Sequence, residues 1–153
     1  LDKSVAAQFA AFAAGFGQVC GGPALGLFTP AELELLVCGD PEIDMRALER
    51  VTKYDGGFDA DHRAIRDFWS VVHSLPIADQ KRLLFFATGC DRAPVGGLEN
   101  LPFVVQRSGP DTEHLPTAHT CFNVLLLPEY ASQEKLRDRL AVAIANAEGF
   151  GLQ

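Results

Sequence analysis

Apolar residues near the start of the chain recur at helical spacing. They lie three or four residues apart and predict an amphipathic helix over residues 3–19. They are Val5, Phe9, Phe12 and Phe16. A second helix is predicted to begin at Thr29, because Thr29 and Glu32 have the spacing of a capping box and Pro30 takes the first helical position. Its predicted buried stripe consists of Leu33, Leu36 and Val37, with Cys38 in the core.

A short hinge is predicted after this second helix. Gly39 ends the helix, and Asp40-Pro41 opposes its continuation, because a residue before proline disfavours helical backbone. Four more helices are then predicted, over residues 43–51, 61–74, 77–88 and 133–146. The two clearest apolar faces among them carry Ile65, Phe68, Trp69 and Val72, and Leu136, Leu140 and Ile144.

Two apolar runs predict strands, over residues 103–107 and 122–127. Glycine and proline crowd residues 89–102, which predicts a loop, and turn sequences occupy 54–58 and 108–111. The chain therefore combines helices with a small amount of sheet.

Composition limits the classes of function. The 153 residues fit one domain, or one domain with part of another, and 48% of them are hydrophobic, which is enough for a packed core. The net charge of −7 disfavours nucleic acid or an anionic membrane as a partner. No apolar run approaches the roughly 20 residues of a spanning helix, so we expect no membrane insertion.

The four cysteines argue against a metal site. No two of Cys20, Cys38, Cys90 and Cys121 have C-x-x-C spacing, so we expect no zinc, and nothing predicts another cofactor. Reduced thiols in a cytoplasmic or nuclear protein are the interpretation that we favour over disulfides. Because Leu1 is not an initiator methionine, we also expect the chain to be part of a longer protein.

The main candidate for chemistry is Cys121, at the start of the second predicted strand. In an extended segment, residues two apart share a face, so His119 would point the same way as Cys121, with Thr117 behind it and Asn123 ahead of it. The competing interpretation is a buried strand cysteine, the usual environment of a free thiol. From these residues alone both interpretations stay open.

A set of motifs then resembles the end of a HECT-type ubiquitin ligase. The resemblance covers essentially the whole chain and is specific as a combination. The matching segments are Phe68-Trp69, Thr88-Gly89, Arg92, Pro94, Gly96-Gly97, Leu115-Pro116, His119-Thr120-Cys121-Phe122-Asn123, Leu127-Pro128 and Glu148-Gly149-Phe150-Gly151.

The resemblance implies an α+β fold in which a small sheet of about four strands is flanked by helices. Residues 1–38 would be the last helices of the family's N-lobe, residues 39–41 the hinge, and residues 42–153 the catalytic C-lobe. The part of the N-lobe that docks the ubiquitin-conjugating enzyme would lie outside this chain. Ubiquitin, a conjugating enzyme and protein substrates are the implied partners.

The resemblance also implies roles for individual residues. Cys121 would accept ubiquitin as a thioester and pass it to a substrate lysine, with His119 in support or simply holding the loop, and Phe150 would act in the lysine-transfer step. The ubiquitin tail would bind near four residues, Leu115, Thr117, Thr120 and Asn123. From the sequence, Asp111 and Glu113 are candidate acidic partners for the incoming lysine, or simply solvated acids of a turn.

Two other classes of function stay open at this point. A cysteine hydrolase would place its nucleophile at the start of a helix, where the helix dipole lowers the thiol pKa, and Cys121 is predicted in a strand instead. A folded module without turnover is the second alternative, acting by binding ubiquitin or by self-association. The apolar faces of the two leading helices need a cover, so we expect these helices to fold back on the second domain or to bury themselves against another copy of the chain.

Overall fold

The computed structural model describes residues 3–146. The chain divides between Cys38 and Gly39 into two units, each with its own internal contacts. No helix in the described part of the chain is long and apolar enough to cross a membrane.

The first unit contains two helices, α1 (Ala6–Cys20) and α2 (Pro30–Cys38), joined through a short 3₁₀ turn. The predicted capping box is confirmed. The backbone N–H of Thr29 donates to Glu32 Oε2 at 2.8 Å, and the N–H of Glu32 donates to Thr29 Oγ1 at 3.3 Å. These two bonds satisfy donors that an uncapped helix start would leave unpaired.

The predicted buried stripe of the first unit is wrong. Neither helix buries a side chain, Leu36 and Val37 are more than half exposed, and Cys38 is exposed. Two short helices bury little of each other's apolar surface. The other large apolar side chains exposed on α1 are Phe9, Phe12, Phe16 and Val19.

Up to residue 146, the second unit contains four helices, all of them predicted from the sequence. They are α3 (Met45–Val51), α4 (Arg63–Ser74), α5 (Ile77–Thr88) and α6 (Gln133–Ala145). Ser132 caps the start of α6 by accepting from Lys135 N at 3.2 Å. Gly89 ends α5 in the left-handed region at φ +78°, a conformation that glycine adopts without a Cβ penalty.

A mixed four-stranded sheet completes the second unit. Its strands are β1 (Lys53–Asp55), β2 (Val104–Arg107), β3 (Thr117–His119) and β4 (Val124–Leu127), in the spatial order β1-β2-β4-β3. The pairs β1–β2 and β2–β4 are parallel, and β3–β4 is antiparallel. The predicted α+β fold class is therefore confirmed, although β1 and β3 were missed because three polar-flanked residues carry too little pattern.

The core lies between the helices and the sheet. Both predicted apolar faces are buried: Phe68 and Val72 of α4 and Leu136 and Leu140 of α6 are at most 1% exposed. Helix α4 packs against α6, and α5 packs against α6 and against the β3–β4 end of the sheet. The sheet contributes three fully buried side chains, Val105, Leu125 and Leu127.

Candidate functional site

Cys121 lies in a tight turn between two strands, not in a strand. Residues Thr120–Phe122 form a single 3₁₀ turn between β3 and β4, and β4 begins only at Val124. The prediction that Cys121 shares a strand face with His119 and Asn123 is therefore wrong. The apolar run that predicted the strand is real, but its first residues bend into the turn.

The Cys121 side chain is exposed, which excludes the buried strand cysteine. The neighbouring Phe122 is 75% exposed, so this turn presents a thiol and an apolar ring together. Cys20, Cys38 and Cys90 are also free and exposed, so exposure alone does not single out Cys121. The distinction comes from the rigid elements on both sides of its turn.

The backbone of Asn123 fixes the turn to the sheet. Asn123 adopts a left-handed conformation at φ +52°, which asparagine tolerates better than most residues. Its N–H donates to Thr120 O at 3.3 Å, and its carbonyl oxygen accepts from Val104 N at 3.0 Å. The turn therefore returns the chain directly into β4, whose Leu125 is fully buried.

His119 ends β3 and pairs in register with Val124 of β4. Thr117 and His119 are exposed while Ala118 between them is half-buried, as expected for a strand with one solvated face. Within residues 3–146, no hydrogen bond joins His119 to Cys121. His119 is thus close to Cys121 along the chain without forming a thiol–imidazole pair in this structure.

Strand β3 is an edge strand. It pairs with β4 on one side, and the sheet that the described residues form ends there. The other edge of β3 therefore carries backbone groups without a strand partner in this sheet, which is the usual template for an added extended peptide. Leu115 and Thr117 are exposed beside it, and the intervening Pro116 is buried.

The end of α5 packs against the turn Thr120–Phe122, a contact that the sequence did not predict. A Cβ built on Gly89 would lie 3.9 Å from the Cβ of Thr120, an ordinary van der Waals distance, so the end of α5 lies next to the turn. Thr88 Oγ1 donates to Leu84 O at 2.7 Å and accepts from Cys90 N at 3.2 Å. The turn that bears Cys121 therefore rests on a capped helix end.

Asp111 and Glu113, the candidate partners of an incoming lysine, are engaged by α6. Lys135 Nζ lies 3.0 Å from Asp111 Oδ1 and 2.9 Å from Glu113 Oε1, and Arg139 also pairs with Glu113. Hydrogen bonding to Lys135 is the main cause that lowers the pKa of both carboxyl groups. The same two acids raise the pKa of Lys135.

A buried tyrosine anchors the same loop. Tyr130 is 1% exposed and its hydroxyl donates to the backbone oxygen of His114 at 2.7 Å. Burial raises the pKa of Tyr130 to about 12, so the hydroxyl stays protonated and remains a donor. The loop over residues 108–116, which leads into β3, is therefore held by Tyr130 and by α6.

Two of the predicted hinge residues are tied to the second unit. Asp40 and Ala93 form an antiparallel bridge, with N–H···O distances of 2.8 and 2.9 Å. Arg92 Nη1 donates to Gly39 O at 3.1 Å. Gly39 has φ +82°, and a Cβ there would lie 2.4 Å from Ala93 O, so only glycine fits without a shift. Pro41 follows this bridge and is exposed.

One predicted site residue, Phe150, lies outside the described residues. No group of histidine, cysteine, aspartate and glutamate side chains within the described part of the chain is arranged to hold a metal ion.

The whole chain, residues 1–153, matches the family described as "HECT-domain (ubiquitin-transferase)". It is 52% identical over 153 residues to "Probable E3 ubiquitin-protein ligase HECTD2" of Mus musculus. It is 48% identical over 151 residues to "Probable E3 ubiquitin-protein ligase HERC4" of Homo sapiens, and 39% identical over 155 residues to "Probable E3 ubiquitin-protein ligase HUL4" of Eremothecium gossypii.

These alignments cover 99 to 100% of this chain but only 14 to 20% of each relative. The chain therefore spans at most about a fifth of the length of the curated relatives that it matches.

Proposed function

The chain belongs to the HECT-domain family of ubiquitin transferases, and we propose that it is the catalytic end of a ubiquitin ligase in which Cys121 carries ubiquitin as a thioester. The observation that carries this proposal is the exposed Cys121 thiol in a turn supported by β3, β4 and the end of α5. A relay thiol must be reachable by two large proteins in succession, and a rigid turn at the surface provides such access.

The first step is thioester exchange. The Cys121 thiolate attacks the carbonyl carbon of the thioester on the conjugating enzyme, and the thiolate of that enzyme leaves. One thioester replaces another, so the step is nearly balanced and needs no strongly activated nucleophile. In the second step, a substrate lysine attacks the Cys121 thioester, loses a proton and forms an amide while the Cys121 thiolate departs.

The free edge of β3 is the proposed seat of the ubiquitin tail. An extended tail can pair with this edge and bring its terminal carbonyl towards Cys121, with Leu115, Thr117 and Thr120 alongside. We assign Asn123 a part in shaping the turn that this tail approaches. His119, exposed at the end of β3, is proposed to help position the tail or to stabilise the thiolate.

Cysteine hydrolysis is the less favoured chemistry. A single 3₁₀ turn of three residues lacks the aligned peptide dipoles of a longer helix, and no hydrogen bond joins His119 to Cys121 among residues 3–146. The family match also disfavours the alternative of a binding module without turnover.

The lobe assignment belongs to the same proposal. Residues 1–38 would end the N-lobe, residues 39–41 would act as the hinge, and residues 42–153 would form the C-lobe. Phe150 is proposed to act when the substrate lysine attacks.

Within the family, we propose a kinship with the ubiquitin ligase associated with Angelman syndrome. Three segments support it, and they are Tyr54-Asp-Gly-Gly57, Asp91-Arg-Ala-Pro-Val-Gly-Gly-Leu98 and Asn123-Val-Leu-Leu-Leu-Pro-Glu-Tyr130. We also propose a cytoplasmic or nuclear location, which free thiols suit.

Self-association through the first unit is a subsidiary proposal. Phe12 and Phe16 stack on α1 with centroids 5.8 Å apart, and Phe12 is 65% exposed. A second copy of the chain would remove this apolar surface from water. A monomeric mass by light scattering, with no binding of an apolar dye, would contradict it.

The central experiment is adduct formation. The chain, alone and joined to the remainder of its HECT domain, is incubated with activating enzyme, conjugating enzyme, ATP and ubiquitin, and analysed on gels with and without reductant. We expect the complete domain to form a reductant-sensitive ubiquitin adduct, and we expect Cys121→Ala to abolish it. Cys121→Ser should form an ester that resists reductant.

Cys90→Ala is the matched control, because Cys90 is also exposed and follows the helix end that supports the turn. An adduct that survives Cys121→Ala and disappears in Cys90→Ala would overturn the assignment of the relay thiol. The absence of any adduct with the complete domain would overturn the proposed function.

A further inference from the structure

A basic cleft lies on the β1 side of the second unit. It has a volume of about 520 Å³, and its lining includes Arg46 and Arg50 from α3 and Arg66 from α4. Strand β1 and strand β3 form opposite edges of the sheet, so the cleft and the proposed tail-binding edge belong to different sides of the fold. The proposed ligase chemistry gives this cleft no role.

The three arginines differ from others in the same unit. Within residues 3–146, none of their guanidinium groups has a hydrogen bond or ion pair to the protein. By contrast, guanidinium groups elsewhere in the unit pair with a carboxylate; these are Arg63, Arg82, Arg107 and Arg139. Three arginines whose guanidinium donors are unused within residues 3–146 thus line one cleft, in a chain whose net charge is −7.

The one carboxylate in the lining is already engaged. Glu49 Oε2 lies 2.7 Å from Nε2 of His73, which also lines the cleft. Asp59 and Asp61 flank the lining residue Ala60 along the chain, and Asp59 accepts the N–H of Asp61 at 2.9 Å. Three guanidinium groups and one carboxylate leave the lining with a formal charge of +2 when His73 is neutral.

Tyr54 adds a neutral donor to the cleft. Its hydroxyl oxygen accepts the indole N–H of Trp69 at 2.9 Å, so its own hydrogen can be donated towards the cleft. Burial is the main cause that raises the pKa of Tyr54, which keeps this hydrogen in place at neutral pH.

We propose that this cleft binds a phosphate monoester. A phosphate monoester carries up to two negative charges and three acceptor oxygens, so it can accept from several guanidinium groups and a hydroxyl at once. A carboxylate is satisfied by a single guanidinium group. The volume exceeds that of a phosphate group, which leaves room for the group that carries it. A phosphorylated side chain of a partner protein and a free phosphorylated small molecule share this chemistry.

Trp69 provides a reporter within the site, because it is the only tryptophan in the chain and lines the cleft. Its fluorescence is recorded while the chain is titrated at constant ionic strength. The probes are inorganic phosphate, O-phosphoserine and a short phosphoserine peptide, with sodium chloride and the matching unphosphorylated peptide as controls. We expect a saturable change with the phosphorylated probes only.

Single substitutions in the cleft should weaken binding. Arg50→Gln and Arg66→Gln are each expected to raise the Kd for the phosphorylated probes at least tenfold. Arg50→Lys keeps the charge but loses the planar guanidinium group, so its Kd should lie between that of Arg50→Gln and that of the parent. Arg82→Gln makes the same charge change on α5 outside the cleft and should leave Kd within twofold. Circular dichroism checks that each variant is folded.

The probes distinguish the two sources of phosphate. A phosphopeptide that binds at least tenfold more tightly than O-phosphoserine indicates a protein partner, and equal affinities indicate a free phosphorylated molecule. The proposal is overturned if no phosphorylated probe saturates, if sodium chloride gives the same response, or if Arg82→Gln weakens binding as much as Arg50→Gln.

Discussion

The buried hydroxyl of Tyr130 donates a hydrogen bond to the backbone oxygen of His114 across 2.7 Å. Tyr130 precedes α6, whereas His114 lies in the loop that leads into the edge strand β3. The bond therefore ties the path of the proposed ubiquitin tail to the core of the second unit. Any effect of this bond on the chemistry at Cys121 would pass through the position of β3.

Tyr130→Phe should loosen that loop while leaving the core packed. Loss of one hydrogen bond lowers the free energy of unfolding by about 1 kcal/mol. Amide hydrogen exchange should quicken over residues 112–119 and change little in α4, whose buried face Tyr130→Phe leaves intact. Exchange that quickens equally in both segments would mean global destabilisation, contrary to this prediction.

The ion pairs among Asp111, Glu113 and Lys135 should break in acid, when the two carboxylates become protonated. Both carboxyl pKa values lie below their ordinary values of 3.8 and 4.5. A lowered folded-state pKa contributes stability above the ordinary value, and that contribution is lost as the pH falls through the folded value. The cluster should therefore hold at pH 5 and open only as the pH falls below the ordinary carboxyl pKa values, which carboxyl NMR titration measures.

Lys135→Met provides the matched test for this cluster. Because hydrogen bonding to Lys135 is the leading cause of both shifts, the carboxyl pKa values of Asp111 and Glu113 should rise towards their ordinary values in this variant. Unchanged titration curves would contradict the assigned cause.

Gly39→Ala should destabilise the second unit more than Gly57→Ala. Both glycines have positive φ, but a Cβ on Gly39 would lie 2.4 Å from Ala93 O, whereas one on Gly57 would have no neighbour within 4 Å. The backbone penalty alone costs about 1 kcal/mol, and the added overlap should bring Gly39→Ala to roughly 2–3 kcal/mol. Urea unfolding of the two variants measures the difference. Equal losses of unfolding free energy would contradict the steric argument.

Thr117→Gly should slow ubiquitin transfer if the tail pairs with β3. The change weakens a three-residue edge strand and removes an exposed side chain, and we expect a loss of about tenfold in discharge of the Cys121 adduct, or roughly 1.4 kcal/mol. Lys53→Gly is the matched control, because Lys53 is the first residue of β1 at the opposite edge. Equal rates in both variants would count against tail binding at β3.

Long, strongly periodic segments were predictable. The buried faces of α4 and α6 followed from apolar spacing, and the starts of α2 and α6 followed from capping residues. Strands β1 and β3 were missed, because three residues in an edge strand gain their hydrogen bonds from a neighbour distant in sequence. The loop anchors were also missed, since Asp111 and Lys135 are 24 residues apart.

Motifs and periodicity are local properties of the chain, and they indicated the family, the order of helices and, as a prediction, Cys121 as the thiol that carries ubiquitin. The tertiary structure was needed to show that Cys121 lies in a turn and that Asp111 and Glu113 pair with α6. It also brought together in one cleft three arginines that have no ion pair within residues 3–146. These relationships depend on packing between residues far apart in sequence, which no local pattern encodes.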